Sequence, residues 1–143
     1  MSEKGHAVAV LVVNADRKEV PLVRDPHKPE PHYWKIPGGR SEPGETAEET
    51  AVREIKEEVG ITLDPTKLEV IHCEDRGTHL FTFFYISVPG FLGLKEKGDD
   101  GEEVSLFTLT EIQVIGTEGD EAVAPIFPPH WALFDIYDIF RHP

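Results

Sequence analysis

Residues Gly39 to Ile61 read GRSEPGETAEETAVREIKEEVGI. Thr46 followed three residues later by Glu49 is a capping-box signature, and Gly60 stands where a left-handed C-terminal cap belongs. The spacing therefore predicts a helix from Thr46 to Val59. At about 100° per residue, Ala47, Ala51, Val52, Ile55 and Val59 form one arc that must face a core, and the projection puts Glu48 inside it. Glu54, Glu57 and Glu58, at i, i+3 and i+4, fall in a neighbouring arc at the edge of that buried stripe. Such carboxylates are screened less by water than those on the opposite face.

Like charges at these spacings repel by a few tenths of a kcal/mol per pair, and by more when partly desolvated. Between Ser41 and Gly60 seven Glu stand against Arg53 and Lys56. Arg53 can pair with Glu57, but one guanidinium cannot neutralise three acids. A hard divalent ion can: Mg²⁺ or Mn²⁺ takes oxygen ligands, keeps several waters and bridges carboxylates to phosphates. The tight turns at Pro37-Gly38-Gly39 and Pro43-Gly44 allow close backbone approach to such an ion or to a phosphate.

The whole stretch resembles the Nudix box: glycine, five residues, glutamate, seven residues, then Arg-Glu-hydrophobic-any-Glu-Glu-any-Gly-hydrophobic. Gly39, Glu45 and Arg53-Glu54-Ile55-Lys56-Glu57-Glu58-Val59-Gly60-Ile61 match every specified position. The resemblance implies a Nudix-type α/β/α sandwich with a mixed β-sheet, within the α+β class. It implies a pyrophosphohydrolase that cleaves a small nucleoside diphosphate linked to another moiety: a nucleotide-sugar such as ADP-ribose, a nucleoside triphosphate or a dinucleoside polyphosphate. It assigns Glu54, Glu57 and Glu58 as Mg²⁺ or Mn²⁺ ligands, with a backbone carbonyl from Gly39. Arg53 would hold a carboxylate in place and Glu45 would support the cluster. A loop acid, Glu103 or its neighbour Glu102, would serve as base or extra ligand. The alternative is a Nudix-like module that binds a nucleotide without cleaving it; the intact acids favour catalysis. In this family the oligomeric state can build part of the pocket, which leaves room for a homodimer.

Outward from the box, His6 to Asn14 is apolar almost throughout and reads as a strand covered on both faces. Glu19 to Arg24 reads as its hairpin partner. Asp25 to Pro37, with four prolines, reads as ordered coil. Leu68 to Glu74, His79 to Val88 and Val104 to Leu109 read as strands. Leu94 to Glu103 reads as a charged loop and Thr117 to Glu121 as a polar stretch. Pro128-Pro129 open a C-terminal helix whose apolar residues, from Trp131 to Phe140, suit packing. Trp34 and Tyr33 could stack on a nucleobase, a contact of about 1–3 kcal/mol, or pack under the proline-rich loop. Arg24, Arg40, His32 and Lys35 lie near enough in sequence to meet phosphates. The seven histidines show no metal-ligand spacing.

The remaining bounds come from composition. A chain of 143 residues suits one domain, 1–143. A hydrophobic share of 39% excludes wholesale disorder. The net charge of −13 opposes sequence-independent binding of long nucleic acid, though not a capped 5′ end presented to a metal site. It also means that phosphate must be met by local cations or a metal. The longest apolar run, Ala7 to Val13, falls far short of the about 20 residues of a membrane span. Ser2, Glu3 and Lys4 lead straight into a strand, unlike a signal peptide. The single Cys73 excludes an internal disulfide framework and fits a reducing cytoplasm.

Overall fold

The computed structural model describes residues 4–16, 18–119 and 123–139. Ser2, Glu3, Glu121 and Phe140, each part of a sequence reading above, lie outside them. Six strands form one mixed sheet: β1 (Gly5–Asn14), β2 (Glu19–Arg24), β3 (Gly38–Arg40), β4 (Glu69–Asp75), β5 (His79–Val88) and β6 (Glu103–Thr108). Its order is β4-β5-β1-β2-β6, with β3 also on β1. The helices are α1 (Ala47–Glu58), α2 (Leu109–Ile115) and α3 (Pro128–Ile136).

The unbroken apolar run of β1 is explained by its place at the centre. Val8 to Val13 are all buried. Because side chains alternate faces, Val8, Val10 and Val12 join α1 on one side, while Ala9, Leu11 and Val13 join α2 and α3 on the other. β5, paired parallel to β1 from Gly5↔His79 to Asn14↔Val88, divides in the same way. Phe81 and Phe83 enter the second layer, and Phe84 and Ile86 enter the first. The result is the α/β/α sandwich.

Helix α1 starts as its sequence demands. Thr46 Oγ1 accepts from Glu49 N at 3.1 Å, and Glu49 returns the contact to Thr46 N at 3.0 Å. Ala47, Ala51 and Ile55 are buried, and Gly60, at φ +90°, ends the helix. The projection misplaced one polar residue. Thr50, not Glu48, lies fully in the buried face. Thr50 is tolerated there because its hydroxyl donates to Thr46 O at 2.8 Å.

Two elements differ from the sequence reading. The strand read as Val104 to Leu109 ends at Thr108, which caps α2 through a second Thr-x-x-Glu box with Glu111. Pro37-Gly38-Gly39 reads as a turn, but Gly38–Arg40 forms β3. It lies against β1 at Ala7, Val8 and Ala9, so close that a Cβ on Gly38 would stand 1.9 Å from the Val8 carbonyl oxygen. Only a glycine fits there.

β3 decides where the site forms. One edge of β1 is shared, with β3 on Ala7–Ala9 and β2 meeting it at Asn14↔Glu19. Between these pairings the edge opens, while Lys35 bridges back to Val23 of β2. The cleft described next is lined by β1 at Ala7 and Val8, beside β3.

Candidate active site

The cleft has a volume of about 420 Å³ and draws its walls from β1, β3, β5, the 25–36 segment, α1 and the start of α3. One wall is acidic. Glu58 enters it from the last turn of α1, its Oε2 accepting from Gly38 N at 2.8 Å. Burial, then the charges of Glu54, Glu102 and Glu57, push the Glu58 carboxyl up to about 9, despite that hydrogen bond. Glu54, 15% exposed, is also raised by burial, with Arg53 opposing the shift. A Cβ on Gly39 would lie 2.6 Å from the Glu54 carboxyl carbon, so that glycine makes the room the carboxylate occupies. Glu57 is 43% exposed and, like Glu54, is not among the residues that line the cleft.

Arg53 organises the acids without entering the cleft. Its Nε and Nη2 form a fork on Glu45 at 2.7 and 2.9 Å. Nη1 donates to Glu54 at 2.9 Å and to Glu57 at 3.3 Å, and Nη2 also reaches the Arg40 carbonyl at 2.9 Å. Glu45 receives further bonds from Glu42 N and Thr50 Oγ1. With Arg53 as first cause, its carboxyl falls to about 2. The guanidinium is raised in turn, by Glu45 before Glu54.

The loop acid in the cleft is Glu102, not Glu103. Glu103 lies directly across the ladder from Arg24 in the β2–β6 register, and Arg24 Nε donates to it at 3.1 Å. Each side chain, expected as base and as phosphate ligand, is thus paired with the other. Neither lines the cleft. Glu102 lines it, and its Oε1 is buried without a hydrogen-bond partner. The loop that carries it is tied onto the end of α1: Lys95 N donates to Val59 O at 2.8 Å and Asp99 N to Glu57 O at 3.0 Å. Those bonds bring Glu102 to Glu58.

Trp34 is a further correction. It is 8% exposed, its ring meets Phe107 at 5.1 Å, and the Arg24 guanidinium lies 5.0 Å from its centroid. A ring so enclosed belongs to the core and offers no face to a base. Tyr33 packs on Phe127 at 5.6 Å. Arg40 lines the cleft, joined by Lys28, Lys35, Arg76 and His79. Lys28, Arg76, His79 and His130 carried no sequence signal, because they reach the cleft from separate elements.

The donors at the acidic wall are all oxygens, the chemistry of a hard divalent cation. Among the described residues no three His, Cys, Asp or Glu side chains already converge on one point. The fit rests on the unpartnered Glu102 oxygen, the crowded and raised Glu58, and the room Gly39 leaves for Glu54. These groups suit an ion that supplies the missing positive charge and keeps part of its water shell.

The model of the NUDIX domain family matches residues 3–128. An ADP-ribose pyrophosphatase from Methanocaldococcus jannaschii is 30% identical over 121 residues, covering 82% of this chain and 70% of that protein. A human 8-oxo-dGDP phosphatase is 33% identical over 94 residues, 64% of this chain. The matched region spans 28% of that protein and 29% of its mouse counterpart, less than a third of their lengths. A NUDIX-family hydrolase from Clostridium perfringens is 16% identical and superposes with a TM-score of 0.67 over 96% of this chain and 98% of that one. At that identity the likeness is one of fold.

Proposed function

We propose, for a chain that belongs to the NUDIX domain family, hydrolysis of the pyrophosphate linkage in a small nucleoside diphosphate-X compound, dependent on Mg²⁺ or Mn²⁺. The observation that carries the reading is a single cleft with opposed charges. Glu58 and Glu102 form its acidic wall, and Lys28, Lys35, Arg40 and Arg76 line it together with Asp25 and Asp100. In a chain of net charge −13 such a gathering of cations needs a reason, and an anionic substrate supplies one. The proposal takes residues 1–143 as one domain of the family. Among the described residues no helix is long and apolar enough to cross a membrane. The free, exposed Cys73 fits a reducing compartment such as the cytoplasm. A homodimer is compatible with the reading, which does not require one.

Glu54, Glu57 and Glu58, with the Gly39 carbonyl, are the groups that would hold the cation. When bound, it would neutralise diphosphate oxygens and lower the pKa of a water. Lys28, Lys35, Arg40 and Arg76 orient the phosphate chain and offset its charge. Glu102, whose buried oxygen has no other partner, takes the proton as the water oxygen bonds to phosphorus. The bridging P–O bond breaks, leaving a nucleoside monophosphate and X-phosphate.

A hydrolysis screen with Mg²⁺ over nucleoside triphosphates, nucleotide-sugars such as ADP-ribose and dinucleoside polyphosphates, with products weighed by mass spectrometry, tests the reading. Turnover should stop with chelator and return with added ion. Tight binding with no turnover of any compound would instead favour the non-catalytic module. The same assay separates the two loop acids. Glu102→Gln should lower kcat by about a hundredfold or more, the usual range for a lost general base. Glu103→Gln, which removes only the half-exposed pair with Arg24, should change kcat by less than about threefold. Equal losses in both would remove the assignment of Glu102.

A further inference from the structure

The start of α3 is stitched to the segment that lines the cleft. Trp34 N donates to Pro125 O and Phe127 N to Trp34 O, each at 2.9 Å. The next amide in this system that faces α3, Ile36 N, donates to His130 Nδ1 at 2.9 Å. An Nδ1 that accepts cannot carry a proton, so the ring is the neutral tautomer with hydrogen on Nε2. Burial and the Lys35 charge agree with this, holding the imidazole down at about 4. The Phe127 ring, edge-on at 5.1 Å and 86°, fixes the plane of the imidazole.

Among the described residues the His130 ring is hydrogen-bonded through Nδ1 alone. His130 lines the cleft, and the only buried side-chain atoms left unpaired among the described residues are His6 Nδ1 and Glu102 Oε1. His130 Nε2–H therefore opens to the cleft as an unused donor. It is also close to the acidic wall. Ile36 N binds His130 and Gly38 N binds Glu58, and two residues of chain span at most about 7 Å. One nucleotide can reach both.

We propose that His130 is a specificity-determining residue whose Nε2–H donates to an acceptor atom of the substrate's nucleobase. The inference rests on the reading of the cleft as a nucleotide site. Anionic oxygens already have Lys28, Lys35, Arg40 and Arg76 to meet them. A neutral donor held against the Phe127 ring is better matched to a neutral acceptor, a ring nitrogen or carbonyl. It is also directional: a base that presents an amine there leaves a buried donor unpaired and is rejected.

The test is titration of the full-length, ¹⁵N-labelled protein in Mg²⁺ with four probes: AMP, inosine monophosphate, ribose 5-phosphate and inorganic phosphate. The free protein should show His130 protonated at Nε2 only. At least one nucleoside monophosphate should move the Nε2 signal, while ribose 5-phosphate and phosphate move the Arg40 amide and leave Nε2 in place. An Nε2 response to the base-free probes equal to that of the nucleotides would overturn the proposal in favour of a phosphate contact. Nucleotides that move Arg40 but not His130 would overturn it and leave the cleft reading standing. If no probe moves either residue, the cleft reading fails and the inference with it. Two variants separate recognition from packing. His130→Asn places an acceptor where Nδ1 was and removes the donor. It should keep the thermal midpoint and weaken the responding nucleotide about tenfold, without change for ribose 5-phosphate. His130→Gln restores a donor near Nε2 at the expense of the Ile36 bond, so it should lower the midpoint and recover most of that affinity. The reverse pattern would mean that His130 only holds α3 in place.

Discussion

Glu58→Gln will lower turnover at saturating Mg²⁺ by at least about a hundredfold, the scale of losing a group that acts on developing charge, and will stabilise the metal-free protein at pH 8. The first effect follows from losing a group that would hold the cation, the second from removing a buried carboxyl. The folded Glu58 carboxyl titrates at about 9, chiefly because it is buried and secondarily because Glu54 and Glu102 are near. In the unfolded chain the same carboxyl titrates near 4.5. Between those values the folded state binds more protons than the unfolded state, so stability falls as pH rises. The contribution is greatest below pH 4.5, declines through the interval and is flat above 9. Its full extent is on the order of several kcal/mol. The neutral Gln removes this dependence while keeping the Gly38 N–H bond. Urea titrations of the metal-free protein from pH 5 to pH 9 should show a falling free energy in the parent and a flatter line in the variant. Added Mg²⁺ should raise the thermal midpoint of the parent at pH 8 much more than that of the variant. A parent whose stability rises across this range would rule out the buried, protonated Glu58.

What the sequence revealed, and what it hid, follows the range of the interactions. Helix α1 and its carboxylates are local: caps, arc and carboxylate spacing all lie within Gly39–Ile61, and each is governed by helical geometry. α2 was equally local, since Thr108 and Glu111 repeat the Thr46–Glu49 box, and a search for that signature would have found it. The choice between Glu102 and Glu103 was not local. It depends on the register that sets Arg24 against Glu103, and a shift of one residue would exchange the two acids. Trp34 was ambiguous for a related reason, because its fate depends on Phe107, which approaches from β6. β3 has no intrinsic strand preference in Gly-Gly-Arg; it forms because the edge of β1 needs a partner. The gathering of basic residues, including Arg76 just after β4 and His79 at the start of β5, exists only once the sheet is assembled.

Arg53 is the other position where a single change should have a large effect, and there the lost quantity is geometry more than charge. The guanidinium touches no substrate in the proposed reaction; it is a positioning residue that joins Glu45, Glu54, Glu57 and the Arg40 carbonyl in one plane of bonds. Arg53→Lys keeps the charge but has no fork, so it cannot hold Glu45 while also spacing Glu54 from Glu57. Loss of about ten- to a hundredfold in activity is expected, as for groups that orient ligands, with weaker affinity for Mg²⁺ by calorimetry. Arg53→Met should lower stability at pH 7 by roughly 2–3 kcal/mol, below the range for a fully buried pair because a quarter of the Arg53 side chain is exposed. The pH dependence identifies the cause. Glu45 titrates at about 2 when folded and near 4.5 when unfolded, so its pairing stabilises the protein above pH 4.5 and the benefit is lost as pH falls towards 2. The stability gap between parent and Arg53→Met should therefore shrink through the acid range as Glu45 takes up its proton. A gap that stays unchanged down to pH 2 would mean that Arg53 acts through packing of its alkyl chain, and that the fork on Glu45 does not hold the acidic wall together.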